Sequence, residues 1–213
     1  MNAILQLVLS IDREVFHAIN SLAGKSGVLD FLIRLGSDDH IIPLILSLTL
    51  LAILIHAKSS DEKKSAINCI ICAFIAVAIS MVFLFILNSL FFRPRPFTSC
   101  NVKLLFYHST DSSFPSNAAT LAFVIAFVIL FYNKRAGFFA LALSFYLGFS
   151  RIAAGIHYPL DIAGGILLGF SCATFSRSLE NLYEPITKTL TNTIARLMGS
   201  VPGAGKEKSA WEK

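Results

Sequence analysis

Three short stretches of this chain collect the side chains able to handle a phosphate. Arg93-Pro94-Arg95-Pro96 sets two guanidinium groups on a proline-stiffened backbone at the end of an apolar run. A guanidinium fork matches phosphate oxygens two at a time. Phe114-Pro115-Ser116-Asn117-Ala118 stands directly before an uncharged apolar segment. Ser116 or Asn117 is therefore expected to cap a helix whose first amides point outward, a ready anion site. The third stretch holds Ser150, Arg151, His157 and Asp161. Charges at a membrane edge are costly unless paired or used. Pro159 suits the first turn of a new helix, and Asp161 lies four residues after His157. Asp161 is expected to take the imidazole Nδ1–H, fix the tautomer and leave Nε2 as a nucleophile. Each stretch has an ordinary alternative: arginines snorkel to headgroups, serines cap helices, and Asp161 caps a helix while His157 sits among headgroups. Together, however, they describe phosphoryl transfer from an anionic lipid headgroup, with guanidinium groups and amides stabilising the transferring group. No cluster of carboxylates offers a Mg²⁺ cage, so the expected route uses no metal or cofactor and passes through a phosphohistidine.

The elements that must position these residues are apolar. The chain has 213 residues, 55% hydrophobic and 15% charged, with a mean hydropathy of +0.69. Soluble domains carry about 25% charged residues. The excess of 18 Lys+Arg over 13 Asp+Glu sits mostly between apolar runs, as in cytoplasmic loops, and not on a nucleic-acid-binding face. Intrinsic disorder, a coiled coil and a secreted disulfide scaffold are excluded. Five apolar segments are expected to be helices: Ile41–Ile55, Ala66–Phe92, Ala118–Tyr132, Ala136–Phe149 and Leu160–Ser176. The expected fold is all-α, an integral membrane bundle of five to six transmembrane helices over 40–180. Before it, residues 1–39 read as one or two amphipathic helices at the interface or beside the bundle. After it, 181–213 read as a cytoplasmic tail, disordered over Val201–Lys213. With five crossings, Lys58, Lys63, Lys64, Lys134, Arg135 and Arg177 share the cytoplasmic side, and the loops Arg93–Pro115 and Ser150–Pro159 face outward. The N-terminus lacks a basic stretch ahead of its apolar residues, so no cleavable signal peptide is expected. Cys69 and Cys72 have redox spacing but lie in an uncharged apolar run and read as packing residues, as does Cys172; no zinc spacing includes Cys100. Gly165 and Gly169 read as a close-packing face inside the bundle in preference to a dimerisation face.

With these residues in view, the chain resembles the type-2 phosphatidic acid phosphatase family. That family's signature reads Lys-x6-Arg-Pro, then Pro-Ser-Gly-His, then Ser-Arg-x5-His-x3-Asp. The third block is matched by Ser150, Arg151, His157 and Asp161, the first ends at Arg95-Pro96, and the second begins at Pro115-Ser116. Within the family, Arg93–Phe97 and Tyr107–Ser116 are most similar to the undecaprenyl pyrophosphate phosphatases linked to bacitracin resistance, as is the opening Val15–Asn20 with Val28–Asp30. The resemblance implies that His157 attacks phosphorus and Asp161 orients it, while Arg95, Arg151, Ser150, Ser116 and Asn117 hold phosphoryl oxygens. It implies a polyprenyl pyrophosphate substrate in a bacterial plasma membrane, and recycling of the lipid carrier for wall polysaccharides. Three positions depart from the pattern. Asn88 stands at the family lysine, a loss for which Arg93 is expected to substitute, and Asn117 stands at the glycine. Ala118 stands at the second histidine, the acid that protonates the leaving group. An inactivated variant is therefore expected, with turnover lowered by about 10²–10⁴-fold and binding retained. The rivals are phosphatases of phosphatidylglycerophosphate, phosphatidate or lipid A, and a non-catalytic lipid-binding or transport protein. Transporters place polar residues near the midplane, whereas these lie at span ends.

Overall fold

A computed structural model describes residues 3–99, 101–106 and 110–199, and the regular elements among them are helices. They are α1 (Ala3–Asn20), α2 (Gly27–Ser37), α3 (Ile41–His56), α4 (Ser60–Leu90), the single turn α5 (Pro96–Ser99), α6 (Asn117–Tyr132), α7 (Lys134–Ala153), α8 (Pro159–Ser178) and α9 (Glu180–Gly199). The five apolar segments fall in α3, α4, α6, α7 and α8. Among the described residues, only α4, α7 and α8 are each long and apolar enough to cross a membrane alone. The pair α2 and α3, bent by 58°, makes up to four. Length and composition by themselves thus mark three or four of the five to six expected crossings. The difference lies chiefly in α6. Its 16 residues span about 24 Å, short of a hydrocarbon core of about 30 Å. This helix is apolar on every side because every side is covered: Ala119, Phe123, Val124, Ala126, Val128 and Ile129 have no solvent-accessible surface. It is the central post, packed against α3, α4, α7 and α8.

Glycine brings α8 against that post. A Cβ at Gly165 would lie 3.1 Å from the Thr120 amide nitrogen, and one at Gly169 would lie 3.0 Å from that of Val124. The small-residue pair therefore serves contact within the bundle, as the sequence suggested. Gly169→Leu is expected to force the two helices apart and cost about 1–3 kcal/mol. Thermal unfolding in detergent measures this, and an unchanged Tm would show the contact to be soft.

The N-terminal helix α1 is amphipathic in the inverted sense. Ile4, Leu7, Val8 and Ile11 face outward, while Asp12, Phe16 and Asn20 are buried. Asn20 Nδ2 donates to the Lys103 and Ala153 carbonyls at 2.9 Å each, and its Oδ1 accepts the Lys103 amide at 3.1 Å. Gly155, at φ +84°, lets the chain pass this knot, where a Cβ would come within 3.2 Å of Asn20 Nδ2. Residues 3–37 are thus packed against the helical body.

The other end of the chain also differs from expectation. Most of the expected tail is α9, which packs on α4 through Lys64–Glu184 (3.1 Å) and Asn68–Glu180 (2.6 Å), with Tyr183 and Thr187 buried. Burial of that apolar side draws 180–199 into a helix. The segment Val201–Lys213 lies outside the described residues. Cys69, Cys72 and Cys172 are buried free thiols, and Cys100 is outside the described residues. The antiparallel order of α4, α6, α7 and α8 gathers Lys64, Lys134 and Arg177 at one end and Arg93, Arg95, Asn117, Arg151 and His157 at the other.

Candidate functional site

His157 lies in the turn between α7 and α8 and is buried. Its Nδ1 is 3.0 Å from the Ser113 carbonyl oxygen, which can only accept, so Nδ1 carries the proton. Nε2 then presents its lone pair, and Arg95 Nη1 donates to it at 3.2 Å. The tautomer anticipated from sequence is present, but its main cause differs. Asp161 Oδ2 is 3.6 Å from Nδ1, beyond a hydrogen bond, and the Ser113 carbonyl holds the nearer place. Burial pushes the imidazole pKa down to about 4; Asp161 opposes that shift, and the Arg151 and Arg95 charges reinforce it. His157 is therefore neutral at ordinary pH, as a nitrogen nucleophile must be.

Asp161 is committed to the scaffold around the imidazole. Its Oδ2 accepts the Ser113 hydroxyl at 2.5 Å and the Tyr158 amide at 2.8 Å, and its Oδ1 accepts Arg93 Nη1 at 2.5 Å. Arg93 Nη2 bonds Asp12 of α1, whose other oxygen takes the Leu160 amide at 2.8 Å. Two carboxylates thus satisfy the first turn of α8, and one guanidinium, stacked 4.2 Å from the Tyr158 ring centre, bridges both. Arg93, expected as a phosphate ligand, has both of its terminal nitrogens bonded to carboxylates and acts as a clamp between α1 and α8.

Arg95 is the buried arginine next to His157. Besides His157 it donates to the Asp111 carbonyl (3.2 Å), the Ile156 carbonyl (3.3 Å) and Asp111 Oδ1 (2.7 Å). Asp111 Oδ2 accepts Asn117 Nδ2 at 3.2 Å, and Asn117 Oδ1 accepts Asn88 Nδ2 at 2.9 Å. Ser116 caps α6, its Oγ accepting the Ala119 amide at 3.4 Å, while its own amide donates to the Asp161 carbonyl at 3.1 Å. The amides of Asn117 and Ala118 precede the first intrahelical bond and have no helical acceptor. Arg151 Nη1 donates to Asp39 (2.6 Å) and the Ser37 carbonyl (3.0 Å), and its buried Nε has no partner. Ser150, expected among the phosphate ligands, instead faces α2: its carbonyl accepts Ser37 Oγ at 3.0 Å, and its buried Oγ is unpaired against Gly36. Ala118 is half-buried and lines a cavity of about 440 Å³ with Asp39, Asn88 and Asn117. Among the described residues, no group of three His, Cys, Asp or Glu side chains is placed to hold a metal ion.

This arrangement brings Arg95 of the first signature block and Ser116 of the second onto His157 and Asp161 of the third, with Asn88 and Ala118 where the signature has lysine and histidine. The PAP2 superfamily profile matches residues 69–182, more than half of the chain. A relative from Bacillus subtilis (strain 168), "Undecaprenyl-diphosphatase BcrC", is 32% identical over 192 residues, covering 85% of this chain and 96% of the relative. The chain belongs to the PAP2 superfamily. Two solved structures share the PAP2 fold. Aquifex aeolicus LpxE has a TM-score of 0.57 at 28% identity, over 78% of this chain and 93% of that one. A PAP2-type phosphatidylglycerolphosphate phosphatase from Bacillus subtilis has a TM-score of 0.58 at 19% identity, over 82% and 87%, a likeness of fold. With its apolar helices, this PAP2 chain is a multi-pass membrane protein of lipid phosphatase type.

Sequence reasoning missed four residues of this PAP2 site: Asp12, Asp39, Asp111 and Ser113. Asp12 had little signal, since it stands beside Arg13 and Glu14 in an amphipathic helix. Ser113 acts through its carbonyl, which side-chain chemistry does not announce.

Proposed function

We propose that this chain hydrolyses undecaprenyl pyrophosphate to undecaprenyl phosphate at the end of the bundle opposite its basic loops. One observation carries the reading: His157 Nε2, its proton held on Nδ1 by the Ser113 carbonyl, faces Arg95 at 3.2 Å. In the first step Nε2 attacks the terminal phosphorus, an N–P bond forms, and the bridging P–O bond breaks. The electron pair leaves on undecaprenyl phosphate. Water then cleaves the phosphohistidine to inorganic phosphate. Arg95 turns from Nε2 to a phosphoryl oxygen, joined by the free amides of Asn117 and Ala118 and by Arg151. The carboxylates of Asp111 and Asp39 occupy the two arginines in the unliganded site, and the phosphate displaces them. The unpaired Nε of Arg151 supports this, because a buried donor without an acceptor is costly until a ligand supplies one. Ala118 supplies no acid, so turnover is slowed and binding kept. A pyrophosphate substrate tolerates this because its leaving group is already a stabilised anion. By the positive-inside rule the basic end and α9 are cytoplasmic and the site faces outward. The product re-enters the lipid carrier cycle for wall polysaccharides.

Phosphate release in detergent from undecaprenyl pyrophosphate, phosphatidylglycerophosphate, phosphatidate and lipid A tests the substrate. The Ala118→His form is expected to prefer the pyrophosphate, and a preference for any of the other three would replace this reading. If neither form releases phosphate from any of them, a non-catalytic lipid-binding role, which Ala118 itself favours, takes its place.

The depressed imidazole pKa sets the acid limit. The free Nε2 pair is lost only as pH falls through about 4, so His157 is expected to place the acid limb of kcat/KM for Ala118→His near there. An acid limb near 6.5, with His157→Ala as the inactive control, would show that burial does not hold the imidazole neutral.

A further inference from the structure

Asp38 and Asp39 stand side by side between α2 and α3 but serve different purposes. Asp38 Oδ1 accepts the His40 and Ile41 amides at 2.8 and 3.1 Å and so holds the start of α3. Asp39 turns to Arg151 Nη1 at 2.6 Å and borders the cavity of about 440 Å³ beside Ala118. Among the described residues lining that cavity, Asp39 is the one that carries a carboxylate, and the other polar walls are Asn88 and Asn117. Asp111 fixes which way those two amides point. Its Oδ2 can only accept, so Asn117 gives it Nδ2 (3.2 Å) and offers Oδ1 to Asn88 Nδ2 (2.9 Å). Asn88 is left with its carbonyl oxygen, which is buried and has no hydrogen-bond partner among the described residues. A buried acceptor without a donor is costly. Two acceptors thus belong to one cavity, and the small molecule that brings two donors is water.

We propose that Asp39 is the base of the second chemical step, taking a proton from the water that cleaves the phosphohistidine, with Asn88 Oδ1 holding that water's other hydrogen. The assignment rests on the phosphatase reading and names the base for its hydrolytic step. A water that donates to both acceptors keeps a lone pair of its oxygen for phosphorus. The O–P bond forms, the P–N bond breaks, and its electron pair returns to Nε2 while one water proton passes to Asp39. Inorganic phosphate carries that proton away, and Asp39 pairs again with Arg151. The arginine makes this step follow the first. Its Nη1 holds Asp39 and the Ser37 carbonyl, its buried Nε has no partner, and its charge is felt at His157. A phosphoryl group on Nε2 draws this guanidinium to its own oxygens and frees the carboxylate to face water. Asp111 is tied to Arg95 and to Asn117, and Ala118 has no group that accepts a proton.

The test follows both products in detergent from undecaprenyl pyrophosphate labelled in its terminal phosphate. In this chain Asp39→Asn is expected to give a burst of one undecaprenyl phosphate per protein, then to slow release of inorganic phosphate about 10²-fold, with acid-labile phosphate trapped on His157. Hydroxylamine, a stronger nucleophile than water that discharges a phosphohistidine without a base, is expected to restore turnover of this variant. Asp39→Glu, which keeps the charge, is expected to recover part of the rate. Asn88→Leu is expected to slow phosphate release about tenfold, the worth of one hydrogen bond, with the same trapped species. Ala118→His puts a second base on the cavity, so Asp39→Asn is expected to cost about tenfold less there than in this chain. Equal losses in the two backgrounds, a fall in both products with no phosphoenzyme, or turnover that hydroxylamine does not restore would overturn the assignment. So would a phosphoenzyme trapped by Asp111→Asn and not by Asp39→Asn. Failure of the phosphatase reading has a different signature: neither this chain nor Ala118→His forms undecaprenyl phosphate or a phosphohistidine, and the role of Asp39 falls with it.

Discussion

Ala118→His is expected to raise phosphate release from undecaprenyl pyrophosphate by about 10²–10⁴-fold, the range of a general acid–base group. Position 118 lies in the first turn of α6, half-buried, on the cavity shared with Asn88 and Asn117. Asn117 is linked through Asp111 to Arg95, which touches His157. On the proposed reaction a histidine there is expected to donate a proton to the leaving oxygen, which a methyl group cannot do. The comparison needs His157→Ala in the same background, where release and acid-labile phosphoenzyme are both expected to vanish. Equal rates with and without the histidine would remove the claim that 118 is the missing acid. Binding of undecaprenyl pyrophosphate is expected to change little, because the arginines and amides that carry affinity are intact.

A second large effect is expected at Arg93, and it concerns folding more than chemistry. Asp12 and Asp161 side chains are 1% and 0% exposed, and Arg93 is the cation that holds both. Removing one member of a buried ion network leaves the others uncompensated and typically costs about 3–5 kcal/mol. Arg93→Met should therefore lower thermal stability in detergent strongly. Asp12→Asn added to it should restore part of the loss, since one stranded charge is then gone. Arg93→Lys should recover little, because a single ammonium cannot bridge two carboxylates as a fork does. If Arg93→Met kept its Tm and only KM rose, Arg93 would be a phosphate ligand after all and the clamp would be wrong.

Position and residue type made much of this protein readable in advance. Apolar runs marked the helices, because a lipid-facing or core helix must be apolar along its length. Proline before Leu160 marked the start of α8, and the spacing of His157 and Asp161 marked a turn that gathers polar groups. What sequence could not rank was competition for the same partner. Arg93 and Arg95 are equivalent two residues apart on paper. Tertiary packing gives the first to Asp12, 81 residues away, and the second to His157. Likewise Asp161 and the Ser113 carbonyl both compete for Nδ1–H, and the carbonyl wins by 0.6 Å, the difference between 3.6 and 3.0 Å.

By itself, then, the chain's order of residues determined that it would live in a membrane, where its helices begin, and which three segments match the family signature. These are local properties, settled by solvent and by spacing along one helix or turn. The tertiary structure alone decided that α6 is a sheltered post, that α1 supplies a carboxylate to the scaffold, and which arginine faces His157. Ion pairs and backbone acceptors depend on distances between segments far apart in sequence, and only the packed bundle sets those distances.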